Sequence, residues 1–423
     1  MARFDSLDDW LRWQEQYHPR PIDLGLERVA AVFRQLAGGQ VLPVTVTVGG
    51  TNGKGSTVAY LESMCRAAGY KVGAYTSPHI IRYNERIRID GSAVADDDIC
   101  AAFERIDSVR GATSLSYFEF GTLAALDIFR RRNVDVQILE VGMGGRLDAV
   151  NIIDADAAIV TTIGLDHVEW LGGTVDAIGR EKAGIFRPDR PAIIGDDQAP
   201  RSLFEVAEDK GARLFALGAD FSYVKQQGVW RWIGQGGQIN DLPQPFLQGE
   251  HQYRNAAAAI MALRSIATIL PVADLAIREG LVATRLPGRF QLLAGTPAVL
   301  VDVGHNPQAV ATLHDYLQDA FPAVRIHAVF AIMKDKDIAS VLSLMRDRVD
   351  TWYLAPLKSP RAADHDLLMQ HFVQQGIAKV HGGHADFADT YTAATLQAGP
   401  DDLILVFGSF LLVSDCLSHF DPR

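Results

Sequence analysis

The stretch Val44–Met64, VTVTVGGTNGKGSTVAYLESM, constrains this chain more than any other. A β-branched apolar run, Val44–Val48, breaks into Gly-Gly-Thr-Asn-Gly-Lys-Gly-Ser and then into a helix-like segment. A buried strand running through a glycine-rich turn into a helix is the local plan of phosphate-binding α/β folds. Glycines at 49, 50, 53 and 55 allow main-chain N–H groups to converge on an anion, and the helix start adds partial positive charge. Lys54 has the reach for terminal phosphates, and Thr51, Ser56 and Thr57 offer hydroxyls for Mg2+. The usual nucleotide loop is written G-x-x-x-x-G-K-[ST]. Here Val48 stands where the first glycine would be, and Gly55 separates Lys54 from Ser56. The alternative is an ordinary strand-to-helix connection, which needs neither the lysine nor four glycines.

The rest of the chain alternates strand-like and helical segments. A helix is expected from about Ser56 to Ala68, then a strand at Lys71–Tyr75. SYFEFGTLAALDIFRRR has helical spacing, while Val134–Val141 and Asp156–Leu165 are continuous apolar runs of the kind buried on both faces of a parallel sheet. GVWRWIGQGGQ has the pattern of a hairpin, and RNAAAAIMALRSIATIL that of a strong helix. After TRLPGRFQLLAGTP a second series begins, with AVLVDV, RIHAVFAI, VDTWYLA and DLILVF as strands. At 423 residues the chain exceeds one ordinary core. The expected fold class is α/β with two doubly wound domains: an N-terminal P-loop ATPase domain over 1–287, a connector over 288–297, and a smaller C-terminal Rossmann-like domain over 298–423.

Composition removes several function classes. Hydrophobic residues make up 48% and charged residues 22%, as in a soluble globular protein. A formal charge of -11 argues against a nucleic-acid surface but not against an anionic small substrate in a local basic pocket. Cys65, Cys100 and Cys416 are far apart, which gives no metal framework and fits a reducing cytoplasm. No apolar run approaches the roughly 20 residues of a membrane span. MARFDSLDDWLRWQEQ has early acids and no apolar core, so no signal peptide is expected.

The segment Gly50–Ser56 resembles the P-loop of the folylpolyglutamate synthase and dihydrofolate synthase family, ATP-dependent amide ligases related to the murein peptide ligases. The murein relatives usually carry Gly-Lys-Thr or Gly-Lys-Ser, so Gly55 points to the folate branch. Further family-like segments follow in order: DLGLERV (23–29), TSPHIIRYNERI (76–87), YFEFGTLAAL (117–126), EVGMGGRLDAVN (140–151), DHVEWLG (166–172) and REKAGIF (180–186). RNAAAAI, LPGRF, VDVGHNP and FGSF complete the series. Val150 and Leu411 depart from the family, which commonly has threonine and histidine there.

The resemblance implies that ATP is held by Thr51, Asn52, Gly53, Lys54, Gly55, Ser56, Asn255, Arg289, Asp302 and His305. It implies two Mg2+ ions on Ser77, Glu140, His167 and Lys182, with Lys182 carbamylated, and catalytic work for Lys54, Lys182 and His167. The pterin or folate would lie against Asp23, Leu24, Gly25, Tyr117, Phe118, Glu119, Leu147, Asp148 and Ala149. On the residues alone, plainer readings stay open. Glu140 would be a solvated strand end, His167 a loop histidine, Lys182 a surface helix lysine and Asn255 a helix N-cap. Asp302, an acid in an apolar run, needs a partner such as a ribose hydroxyl. Asn306 and Pro307 have the pattern of an N-cap and first helical residue, and Arg289 would reach ATP phosphates from the connector. Arg82, Arg86 and Arg88 either attract an acidic substrate or form the basic face of a strand.

The expected reaction is ATP-dependent amide formation between a folate-type carboxylate and L-glutamate through an acyl phosphate. Dihydropteroate and reduced folates are the expected acceptors. The expected protein is a cytoplasmic monomer with small-molecule partners, and neither nucleic acid nor membrane among them. Domain closure would keep water from the acyl phosphate. The competing readings are a murein-type amino-acid ligase and a P-loop regulatory ATPase that makes no bond.

Overall fold

The apolar run before the glycine loop forms the strand Val44–Gly49, which lies between the parallel strands Val136–Glu140 and Ala157–Val160. A central strand is covered on both faces, so although valine and threonine alternate along it, Thr45 and Thr47 are buried as fully as Val46 and Val48. In the computed structural model, which describes residues 3–20, 22–38 and 42–421, this strand sits inside an eight-stranded sheet. Outward on one side come Val136–Glu140, Val72–Tyr75, and the antiparallel Ile87–Ile89 and Ser92–Ala93; on the other come Ala157–Val160, Pro191–Ile194 and Arg213–Ala216.

Helices Leu7–Tyr17, Glu27–Ala37, Asp96–Arg110 and Tyr117–Arg131 pack together over one face. Trp10, Phe103 and Phe120 are fully buried there, each contributing on the order of 2–3 kcal/mol by leaving water. Ser116 starts the helix Tyr117–Arg131 with a reciprocal cap: its hydroxyl accepts from the Glu119 amide, and Glu119 accepts from the Ser116 amide. The expected hairpin is present as Val229–Gly234 and Gly237–Pro243, extended to three strands by Phe221–Lys225.

Contacts divide the chain into two units, one reaching to Phe246 and resuming over Gln252–Arg285, the other formed by Leu247–His251 and everything from Leu286 on. The second unit carries a six-stranded sheet in the order Gln291–Leu293, Ala298–Asp302, Leu403–Phe407, Ile326–Phe330, Thr351–Leu354, Val380–His381. All pairs are parallel except the first. The antiparallel edge strand Gln291–Leu293 falls within the stretch expected as a connector. Asn306 caps the helix Pro307–Ala320 by accepting from the Ala309 amide, with Pro307 at its first position, as the sequence suggests.

Three local expectations are corrected. The strand expected over Asp156–Leu165 ends at Val160, because Thr161 and Thr162 turn aside to bond the glycine loop. Asn255 is no N-cap: it lies inside the helix His251–Ser265, and it is buried. Arg82, Arg86 and Arg88 do not form one strand face. Arg82 pairs with Asp96, Arg86 donates to His79 Nδ1, and only Arg88 lies on a strand, bonded to Glu62. Among the described residues, no helix is long and apolar enough to cross a membrane.

Candidate active site

At the carboxyl edge of the central strand the chain passes through residues 50–53 and enters the helix Lys54–Ala67. The loop is strapped to residues 161–164 by paired hydrogen bonds. The Thr51 amide donates to Thr162 O at 2.6 Å, and the Asn52 amide to Thr162 Oγ1 at 3.2 Å. In return Thr161 Oγ1 donates to Asn52 O at 2.6 Å, and Thr51 Oγ1 exchanges bonds with Gly164. This close approach requires glycine at 50, where a Cβ would overlap Thr161 Oγ1. Gly53 has φ 87°, and a Cβ there would lie 2.6 Å from Asn255 Oδ1. Asn255 therefore supports the turn, and its Nδ2 donates to Gln252 Oε1. The helix opens at Lys54, so the first-turn amides of Gly55 and Ser56 have no carbonyl behind them within the helix and face the loop's mouth.

Two lysines meet on one carbonyl. Lys54 Nζ donates to Gly50 O and Thr51 O, each at 3.1 Å, and Lys182 Nζ donates to Gly50 O at 2.9 Å. Lys182 ends the helix Val175–Lys182 and is only 5% exposed, which overturns the surface-lysine reading. Burial, and next the charge of Lys54, push its ammonium down from 10.5 to about 7. Of the hydroxyls named for Mg2+, Thr57 donates to Gly53 O inside the helix and Thr51 serves Gly164. Ser56 is buried and accepts from Gln252 Nε2 at 3.4 Å.

Glu140 closes the strand beside the glycine loop's strand and is 5% exposed, so it is not a solvated strand end. Its Oε2 accepts from the Ser77 amide at 3.2 Å, which brings together two of the expected metal-side residues. His167 stays at the surface, with φ 51°, at the start of the short helix Val168–Leu171. The segment around Arg146 is pinned to the Lys182 helix, its amide donating to Glu181 O at 2.8 Å.

The expected pterin-side residues come from three distant segments that the fold joins. The Gly25 amide donates to Leu147 O at 3.2 Å, and Arg28 bridges Asp23 to Glu119. Phe118 packs against Gly142 and Tyr75, while Tyr117 sits edge-on to Tyr83. A hydrogen bond from His18, aided by Arg28, holds the Asp23 carboxyl below its usual range despite desolvation. Asp148 is different: burial raises it to about 6, and its carboxylate takes the amides of Met143 and Val150 within its own loop. Leu24 completes the first segment, and the buried Ala149 follows Asp148 in the short turn Ala149–Ile152.

In the second unit, Asp302 ends its strand buried, and its partners are internal: the amides of Phe290 at 3.2 Å and Gly304 at 2.7 Å. Desolvation raises its carboxyl, opposed first by Arg289. His305 Nδ1 bonds Val303 O, and both His305 and Arg289 lie against the Phe410 ring. Sequence reading missed Thr161, Thr162 and Gln252. The signal for the threonines was a polar pair closing an apolar run, IVTTIG; nothing local marked Gln252.

Residues 48–263 match the Mur ligase middle domain, and residues 288–410 match the Mur ligase glutamate ligase domain. The dihydrofolate synthase/folylpolyglutamate synthase of Escherichia coli K12 is 44% identical over 417 residues, covering 99% of this chain and 96% of that protein. The structure of E. coli FolC in complex with DHPP and ADP superposes with a TM-score of 0.93 at 43% identity, covering 99% and 98% of the two chains. A bifunctional folylpolyglutamate synthase/dihydrofolate synthase with Mn, AMPPNP and L-glutamate bound gives a TM-score of 0.91 at 40% identity, covering 98% of each. Matched in both Mur ligase domains and along nearly its whole length, the chain belongs to the dihydrofolate synthase/folylpolyglutamate synthase family.

Proposed function

We propose that this chain is an ATP-dependent ligase that joins L-glutamate both to dihydropteroate and to reduced folates such as tetrahydrofolate. The observation that carries the mechanism is the meeting of Lys54 and Lys182 on Gly50 O, beside the strand that ends in Glu140. Relatives bind ADP with DHPP, and AMPPNP with Mn and L-glutamate, which supports ATP and a divalent cation as the working partners here.

The loop amides and Lys54 orient the terminal phosphate of ATP toward the acceptor's carboxylate and stabilise the charge that grows as an acyl phosphate forms. Glutamate's amine then attacks the activated carbonyl and phosphate leaves. Arg289, Asp302 and His305 are assigned to the nucleotide, and the 23–25, 117–119 and 147–149 segments to the pterin. Glu140, Ser77, His167 and Lys182 would hold Mg2+, which supplies charge neutralisation between phosphate oxygens. The residues fit such an ion: Glu140 is a buried carboxylate steadied by one amide. Among the described residues no group of three or more His, Cys, Asp or Glu could hold a metal ion. Mg2+ here would therefore draw most of its ligands from water and phosphate oxygens. Lys182, whose ammonium burial lowers to about 7, is in part unprotonated at pH 7 and so offers the amine that CO2 needs to form a carbamate, and hence an oxygen donor.

The proposed division is an ATP- and folate-binding domain over 1–287, a connector over 288–297 that includes the edge strand Gln291–Leu293 of the second unit's sheet, and a ligase domain over 298–423. Three free cysteines and ATP as co-substrate fit a cytoplasmic enzyme, taken here as a monomer.

The test compares dihydropteroate and tetrahydrofolate side by side at saturating ATP, Mg2+ and glutamate. ADP release should require both an acceptor and glutamate, and Glu140→Ala should depress the two reactions together. Tetrahydrofolate turnover with dihydropteroate inert would leave a single activity. ADP release without glutamate would favour an ATPase.

A further inference from the structure

The Asp23 carboxylate is held in a way that a loop acid does not need for solubility. Its Oδ2 takes two donors, His18 Nε2 at 3.0 Å and Arg28 Nη1 at 2.9 Å. Among the described residues its Oδ1 pairs with the exposed Arg20, at 3.6 Å, and the side chain as a whole is 20% exposed. One oxygen is anchored closely and the other is held more loosely. The anchor is itself supported, because His18 Nδ1 lies 2.8 Å from Ser114 Oγ. A carboxylate only accepts, so the proton on this bond belongs to His18 Nε2. In the neutral ring Nδ1 then accepts from the Ser114 hydroxyl, and one tautomer and one ring orientation are selected. The imidazole is 6% exposed, so the ring itself is shielded from water, while the Asp23 side chain is 20% exposed.

Arg28 carries the same order further. Its Nη2 donates to Asp23 O at 2.8 Å and to Glu119 Oε1 at 3.2 Å, tying the loop's main chain to the helix Tyr117–Arg131. Ser114, His18, Asp23, Arg28 and Glu119 thus form one hydrogen-bonded chain from four separate segments.

We propose that His18 and Ser114 are positioning residues that preset Asp23 for the aminopyrimidinone edge of the pterin substrate, and so set this enzyme's affinity for that substrate rather than for ATP. The inference rests on the reading of Asp23 and Glu119 as pterin-side residues. The chemistry is complementary: a 2-amino-4-oxo pyrimidine offers adjacent N–H donors, and a carboxylate with one oxygen pinned offers the other in a defined place. Fixing the acceptor before binding removes the ordering that binding would otherwise require.

The experiment measures KM and kcat for dihydropteroate, tetrahydrofolate and ATP in His18→Ala, His18→Gln, Ser114→Ala and Asp23→Ala. Loss of a hydrogen bond to a charged group predicts a rise of about tenfold in KM for dihydropteroate in His18→Ala, with kcat and the KM for ATP within about twofold. His18→Gln, which keeps an N–H donor near Oδ2, should stay within about threefold of wild type, and Ser114→Ala should rise by about threefold. An unchanged dihydropteroate KM in His18→Ala, with a raised one in Asp23→Ala, overturns the positioning role and leaves the pterin reading standing. An unchanged KM in Asp23→Ala shows instead that the pterin reading has failed. Equal rises for all three substrates reduce the chain to scaffolding and overturn the proposal. If His18→Ala does not fold, Ser114→Ala decides: no rise for dihydropteroate sinks it.

Discussion

Replacing Lys182 by methionine should make the protein more stable at neutral pH while abolishing its activity. Burial, then Lys54, lower the ammonium from 10.5 to about 7, so the folded protein carries a group that resists its charged form. At about 1.4 kcal/mol per pKa unit, the penalty is about 5 kcal/mol well below pH 7 and about 4 kcal/mol at pH 7. The sign follows from proton counts. Between about pH 7 and 10.5 the unfolded chain binds the proton and the folded chain does not, so stability rises with pH across that window. Below it both states are charged and the penalty is complete; above it both are neutral and the penalty is gone. Methionine has a comparable length and no charge, but it forfeits the bond from Nζ to Gly50 O, a loss of about 1–1.5 kcal/mol. Gly50 O keeps its bond from Lys54. The expected net gain is about 2–3 kcal/mol at pH 7. Urea unfolding of both proteins at about pH 6.5, 8 and 9.5, without nucleotide and without bicarbonate, reads the difference directly. It should shrink steadily as pH rises. A gap of constant size, or a methionine variant less stable at every pH, would show that Lys182 is not a desolvated ammonium and would remove the basis for its reaction with CO2.

Lys54→Ala should fold normally, because its ammonium bonds two carbonyls of its own loop, and should form no product; near-normal turnover would place the phosphate site elsewhere. Gly53→Ala should lose about 1–3 kcal/mol of stability, from a φ of 87° and a Cβ 2.6 Å from Asn255 Oδ1. Adding Asn255→Ala removes the clash and leaves the backbone strain, so thermal melts of the double variant should recover only part of the loss.

Much of the fold was legible because its buried strands are short stretches dense in β-branched and apolar residues, such as VTVTV and LILVF, which stand out without any knowledge of partners. Helix ends with a local chemical signal were equally plain: Asn306 and Pro307 can be assigned from two adjacent residues. The misreadings came where a neighbour distant in sequence decides the outcome. Asn255 has the side chain of an N-cap, but the helix begins earlier, at His251, and the asparagine lies close against Gly53 and donates to Gln252 Oε1. The run Asp156–Leu165 is apolar enough for a longer strand, yet Thr161 and Thr162 leave the sheet to satisfy a loop more than a hundred residues earlier.

Lys182 shows why the chemistry was harder to read than the fold. Nothing within REKAGIF separates a solvated helix lysine from a desolvated one, since Arg180 and Glu181, the two residues just before it, form ion pairs with Glu205 and Arg146. What distinguishes Lys182 is its position at the end of the helix, where the side chain turns inward to a carbonyl 132 residues away that also receives Lys54. Its lowered proton affinity is therefore a product of packing: burial contributes most, and the second cation adds to it. The same holds for Glu140, whose strand predicts only that it stands at the sheet's carboxyl edge; the amide of Ser77 that steadies it comes from the loop after a neighbouring strand. Periodicity locates such groups on elements, but the charge state that makes them useful is set by which elements the sheet order brings side by side. A lysine moved out of reach of Gly50 would keep its sequence motif and lose the chemistry.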